Sequence, residues 1–235
     1  MKLIIKDLKK KFADKEVLNG IDFDFEDGKI YGLLGRNGAG KTTFFNCLNE
    51  DIKSDAGSFV VEENSETKKL SFDDIGYVLS TPVVPEFLTG REFLKFFMDI
   101  NAERINDDRT IDDYFELMKI DADDRDKLIK DYSHGMKSKM QMLVNIIANP
   151  KILLLDEPLT SFDVVVAEEM KTILKAIKKD HILIFSTHIM ELALDLCDEI
   201  VILNNGTLKE VKKDSLNNEE LKAKIISLLK GENND

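Results

Sequence analysis

The chain has 235 residues, of which 43% are hydrophobic, with a formal net charge of −12 and two cysteines. That length supports one sizeable core, and the acidic balance argues against nonspecific binding to DNA, RNA or anionic lipid. Cys47 and Cys197 lie far apart without metal-ligand spacing, which excludes a disulfide framework and reads as two reduced, buried thiols. The opening residues MKLIIKDLKKKF hold too short an apolar run for a signal peptide. No stretch approaches the ~18 apolar residues of a spanning helix, so the expectation is a protein soluble by itself.

In chain order, residues 1–34 alternate in polarity. KLIIKDLKKKF and IDFDFED, separated by the turn-prone Asn19-Gly20, predict an antiparallel β lobe leading into a short buried strand, KIYGLL. KTTFFNCLNE then carries apolar residues at helical spacing, and GSFVVEE and DIGYVLS read as further strands. From about Glu86 to Lys130 the period is helical, clearest in FLTGREFLKFFMDI and IDDYFELMKI. Afterwards KSKMQMLVNIIAN, KILLLDE, VVVAEEMKTILKAIKK, HILIFST, IMELALDLC and DEIVILNNG alternate helix with strand, which predicts a parallel α/β sheet. NNEELKAKIISLLK predicts a terminal helix before the polar tail GENND. The acidic stretch DADDRD fails as a calcium loop, because Arg125, Asp126 and Tyr132 stand where a ligand, a glycine and a bidentate glutamate are needed.

Between the strand KIYGLL and its helix, Gly35, Gly40, Lys41 and Thr42 fit G-x-x-x-x-G-K-[ST]. In that pattern loop N–H groups and a helix N-terminus cradle phosphates, the lysine reaches the terminal oxygens and the hydroxyl meets Mg²⁺. ILLLDEP ends an apolar strand in acid, which makes Asp156 the expected Mg²⁺ partner, through water, and Glu157 the expected general base. Ser133 is placed to N-cap the helix behind it, and two readings stay open there. It is a capped core helix, or its positive end, with Ser133 and the flexible Gly135, is offered to a nucleotide phosphate.

The order of GRNGAGKT, a helical insertion, YSHGM, ILLLDEP about 20 residues on, and FSTH resembles the ATP-binding-cassette (ABC) ATPase family over essentially the whole chain. The resemblance implies a P-loop NTPase fold of the α/β class: a RecA-like parallel sheet core with an antiparallel β lobe and an inserted α-helical subdomain. All of 1–235 would form one ABC ATPase domain, with an ATP-binding core from 1–85 and 131–213, a helical subdomain over 86–130, and a C-terminal helix and tail over 214–235. GRNGAGKT corresponds to Walker A, so Gly35, Arg36, Asn37, Gly38, Ala39, Gly40, Lys41 and Thr42, with Thr43 after them, are expected at ATP, and Thr42 also at Mg²⁺. ILLLDE corresponds to Walker B, and YSHGM stands where the family signature is, with Ser133 and Gly135 retained and His134 and Met136 departing from it. Asp163 matches the D-loop, His188 the switch histidine and Phe12 the aromatic residue stacked on adenine. Ser80 falls where the family has a metal-contacting glutamine; its hydroxyl could still orient water or Mg²⁺, and Gln141 is the only glutamine in the chain.

One set of motifs implies a dimer, homomeric or heteromeric, that sandwiches ATP. It further implies a separate integral-membrane permease that holds the chain, itself cytoplasmic, at the inner face of the membrane. The expected function is an ATP-hydrolysing subunit powering transport, in the style of exporters of drugs, peptides or lipids. The alternative is a soluble ABC-type ATPase acting on nucleic acid or ribosomes, against which the acidic charge counts. A GTPase or nucleotide kinase would share the loop, but the sequence has no N-K-x-D stretch.

Overall fold

The computed structural model describes residues 1–103, 105, 108–160, 162–212 and 218–231. Ser161, the expected boundary near 214 and the last four residues of the polar tail lie outside these.

Strands β1 (Lys2–Phe12) and β2 (Lys15–Glu26) pair antiparallel, and Leu3, Ile5, Leu8, Leu18, Ile21 and Phe25 are sealed beneath them. The chain reverses at Ala13-Asp14, not at Asn19-Gly20, which sits inside β2. There Leu8 pairs with Ile21 and Lys9 with Asn19, so Gly20 is bulged out at φ +74°, and a Cβ on it would lie 2.9 Å from the Asp7 carboxylate. The Asn-Gly pair thus makes a β-bulge, the other structure that left-handed φ permits.

Strand β3 (Lys29–Leu34) is followed by helix α1 (Lys41–Leu48), then by β4 (Ala56–Glu63) and a wholly exposed strand β5 (Glu66–Lys69). With β1 and β2 the last two form a four-stranded antiparallel sheet in the order β2-β1-β4-β5. Next come β6 (Ile75–Val78) and helices α2 (Gly90–Ile100), α3 (Ile111–Leu117) and α4 (Ala122–Arg125). Thr89 with Glu92 and Thr110 with Asp113 start α2 and α3 with reciprocal capping boxes. Arg91 reaches Asp112 through two guanidinium nitrogens, at 3.1 and 3.0 Å, and Asp126 through a third, at 2.9 Å, which ties the three helices together. The stretch 121–126 is therefore a helix in an ion-pair network.

Helix α5 (His134–Ala148), β7 (Ile152–Asp156), α6 (Val164–Ile177), β8 (Ile182–Thr187), α7 (Met190–Leu196), β9 (Glu199–Asn204), β10 (Thr207–Val211) and α8 (Asn218–Lys230) complete the chain. The second sheet runs β10-β9-β3-β8-β7-β6, parallel except for the β9–β10 hairpin. Its inner strands β3, β7, β8 and β9 are apolar on both faces, as a sheet covered on both sides requires. Leu153, Leu155, Leu183, Phe185, Ile200 and Ile202 face α5 to α8, whereas Ile152, Leu154, Ile182, Ile184, Val201 and Leu203 face α1 and the antiparallel lobe. Cys47 and Cys197 are both buried free thiols, as expected.

Candidate nucleotide site

The carboxyl ends of β3, β6, β7 and β8 converge on one edge of the parallel sheet, where such sheets bind ligands. After β3 the chain turns through Gly38 at φ +78° and Gly40 at φ +106°. A Cβ on Gly40 would lie 2.8 Å from Val17 Cγ1, so the loop passes where only glycine fits. Gly40 also caps α1 without a side chain, which leaves the first N–H groups of the helix to meet an anion.

Lys41 is 7% exposed, and its Nζ donates to the Gly35 carbonyl at 2.9 Å while lying 3.6 Å from Glu157 Oε1. Thr42 Oγ1 donates to Asp156 Oδ2 at 2.8 Å, and Ser186 Oγ donates to Asp156 Oδ1 at 2.5 Å. The backbone turns sharply at Glu157, which is held at φ +50° by N–H bonds to the Ser186 carbonyl and hydroxyl at 3.2 and 3.1 Å. A non-glycine residue in that region stores strain of about 1–3 kcal/mol, a cost that clusters at functional sites. Opposite it, His188 Nδ1 stands 2.7 Å from Glu157 Oε2. Beneath α1, burial and then the nearby Asp156 charge push the Tyr77 hydroxyl above its ordinary range, and it donates to Asn46 at 3.0 Å.

Lys41, Thr42, Asp156 and Glu157 border an open cavity of about 610 Å³, while His188 is outside its lining and joins it through Glu157. Phe12, Asn37, Gly38, Gly40, Lys41, Thr42, Thr43, Ser80, Asp156 and Glu157 all line the cavity, so residues from four separate stretches of sequence meet in one place. Phe12 is 48% exposed at its mouth, with Lys10 Nζ 5.3 Å from the ring centroid. Gly35 joins through its carbonyl, and Arg36 and Ala39 form the loop turn, the Ala39 N–H donating to the Arg36 carbonyl at 3.0 Å. Among the described residues no cluster of three His, Cys, Asp or Glu side chains could hold a metal by itself. The Thr42 hydroxyl against the Asp156 carboxylate is instead the sparse oxygen set that suits Mg²⁺ bound jointly to phosphates and water.

Ser133, Gly135 and Asp163 are not among the residues lining this cavity. Ser133 caps α5, its Oγ accepting from the Met136 N–H at 3.2 Å, and is itself exposed. Gly135 sits against the ring of Phe162, and Asp163 caps α6 by accepting from the Val165 and Val166 N–H groups at 2.9 and 3.0 Å. A larger groove of about 750 Å³ opens at the opposite, amino edge of the sheet. Its Lys29 is already paired with Glu26 at 3.1 Å and Glu199 at 3.5 Å.

Four cavity or network residues escaped sequence reasoning, Thr160 at the cavity among them. Ser186 is legible in hindsight as the one polar residue before the end of the apolar run HILIFST. Lys15 and Val17 reach the cavity from β2 only because the antiparallel lobe folds over α1, and no local signal announces it.

A family model described as ABC transporter matches residues 18–160. Over 212 residues, 88% of this chain and 68% of the relative, the chain is 32% identical to the uncharacterized ABC transporter ATP-binding protein YdbJ of Bacillus subtilis. It is 35% identical over 207 residues, 87% of this chain and 75% of the relative, to an uncharacterized ABC transporter ATP-binding protein of Methanocaldococcus jannaschii. The fold superposes with a TM-score of 0.79 on the ATP-binding subunit of an ABC transporter, at 22% identity and covering 96% of this chain and 100% of that one. It also matches, with a TM-score of 0.75 at 18% identity over 91% of this chain and 100% of that one, a dimeric post-hydrolysis ATP-binding cassette bound to ADP and Pi. With the family model spanning more than half of its length, the chain belongs to the ABC transporter family.

Proposed function

We propose that this ATP-binding subunit and ATPase powers transport, in the export direction, through a separate membrane permease. It does so by closing with a second ATPase subunit over bound ATP and reopening after hydrolysis. The observation that carries the reading is the convergence of Lys41, Thr42, Asp156 and Glu157 on one cavity beneath a glycine loop, with His188 bound to Glu157.

In this reading the N–H groups of residues 36–43 and Lys41 Nζ hold the phosphates, with Phe12 against the adenine face. Thr42 and Asp156, with Ser80 nearby, would hold Mg²⁺, which supplies charge neutralisation at the phosphate oxygens. Glu157 takes a proton from a water whose oxygen attacks the γ-phosphorus as the bond to the β,γ-bridging oxygen breaks, giving ADP and phosphate. His188, bound to Glu157 through Nδ1, fixes the carboxylate and presents its remaining ring nitrogen to the transferring oxygens. Ser133 and Gly135 belong to the half-site that one subunit lays over nucleotide held by the other, and Asp163 to the crossing beside it; their distance from their own chain's cavity supports this.

No helix among the described residues is long and apolar enough to cross a membrane. We place the chain at the inner face of the membrane through its permease, docked on the helices of residues 86–130 and the loop at Ser80. Size exclusion of Glu157→Gln with and without Mg-ATP tests the cycle, the expected result being an ATP-dependent dimer. A monomer that binds ATP would refute closure of two like chains, and co-purification with ribosomes instead of a detergent-dependent membrane protein would refute the transport role.

A further inference from the structure

The chain's single glutamine is buried. Gln141 is 5% exposed in the middle of α5, and its Oε1 has no hydrogen-bond partner among the described residues. A buried amide oxygen left unpaired costs about 1–3 kcal/mol, so its place in the fold bears on what it is for. One turn further along α5, Asn145 lies over β6: its Oδ1 would be 2.7 Å from a Cβ on Gly76. Val144, Asn145 and Ala148 line a small cavity with Ile75 and Gly76 of β6 and with Phe97 and Asn101 of α2. At i−3, i−4 and i−7 from these, Gln141 lies on the same helical stripe.

Helix α5 leads into β7, which is parallel to β6, so the end of α5 lies at the start of β6 and the helix runs against the strand. One turn back along α5, about 5.4 Å, Gln141 stands level with Val78, and helical side chains lean further toward the N-terminus. That direction leads to the exit of β6, where Leu79 and Ser80 depart and Ser80 reaches the nucleotide cavity.

We infer that Gln141 is a positioning residue for the Ser80 loop: when nucleotide draws the loop inward, the Gln141 carboxamide oxygen accepts a hydrogen bond from the Leu79–Thr81 segment and fixes Ser80 at the phosphates. Ser80, shorter than the glutamine the family resemblance implies there, is thereby steadied by an amide coming from the neighbouring helix. The inference rests on the ATP-site reading above, and the experiment separates the two.

Because there is one glutamine, labelling with ¹⁵N-glutamine gives a single side-chain amide pair in the NMR spectrum of the intact wild-type chain. Addition of Mg-AMP-PNP is expected to shift that pair and slow its hydrogen exchange. Gln141→Met removes the buried acceptor at similar volume. A purely packing role predicts a Tm equal to or above wild type and unchanged turnover. The positioning role predicts the same Tm behaviour with kcat lowered about five- to tenfold and KM for ATP unchanged, the size of one lost hydrogen bond. An amide pair unmoved by bound AMP-PNP, or full turnover in Gln141→Met, overturns the inference and leaves the ATP site standing. A wild-type chain that binds no nucleotide overturns both.

Discussion

The nucleotide cavity and the start of α5, both proposed above to meet phosphate, differ in completeness. At the cavity the polar groups hold one another: Thr42 and Ser186 on Asp156, His188 and Lys41 on Glu157, Lys41 also on Gly35. At the start of α5, Ser133 spends its hydroxyl on the local cap and stands exposed, outside the lining of the cavity. A site made of strand ends is organised by the sheet alone, whereas a helix terminus on the surface is finished only by what docks on it.

The sharpest way to break this contrast is Glu157→Gln. Removing the base is expected to lower ATP turnover by roughly 10²–10⁴-fold while leaving ATP affinity in place, as single-turnover assays and calorimetry would report. Lys41→Ala comes next: losing a charged donor costs about 1.5–3 kcal/mol, so ATP affinity of the isolated chain should drop roughly 10- to 100-fold. An unchanged Kd would remove Lys41 from the cradle. Ser133→Ala sharpens the other half of the comparison. It should cost about 1 kcal/mol of stability through the lost cap, keep the ATP affinity of the single chain, and reduce the ATP-dependent dimer. A loss of single-chain affinity would show that α5 serves its own cavity after all.

The smallest effect concerns the sealed core under the site. Burial pushes the Cys47 thiol up to about 11, so its protonated form is favoured on folding. The contribution is fully present below the unfolded thiol pKa near ~8.5 and is lost as pH rises toward 11. Native protein at pH 8 should therefore resist a thiol reagent that labels Cys47 readily after denaturation.

Much of the cavity was legible because its parts are local. The glycine loop needs left-handed backbone at Gly38 and Gly40, and the acid of the cavity needs an apolar strand that ends in Asp156; both leave marks within a few adjacent residues. The helices with Thr89, Thr110 and Ser133 at their caps were readable for the same reason. Local chemistry misled at Asn19-Gly20, since left-handed backbone serves a hairpin turn and a bulge equally. Here Gly206 decides between them: its carbonyl accepts from the Asn19 N–H at 2.8 Å and locks the bulge. Strand β10 went unread although Asn205-Gly206 and the alternating TLKEV announce a hairpin, and β5 is too polar on every side to signal itself.

By itself, the sequence determined which backbone can wrap a phosphate, which strands are buried on both faces, and where the helix capped by Ser133 begins. These follow from steric and hydrogen-bonding preferences that act over a few residues. Only the tertiary structure decided that Ser186 supports both Asp156 and the strained Glu157, that β2 closes over α1 to line the cavity, and that Gln141 lies buried with its amide oxygen unpaired among the described residues. Each of those depends on contacts between segments far apart in the chain, which packing sets and no short stretch encodes.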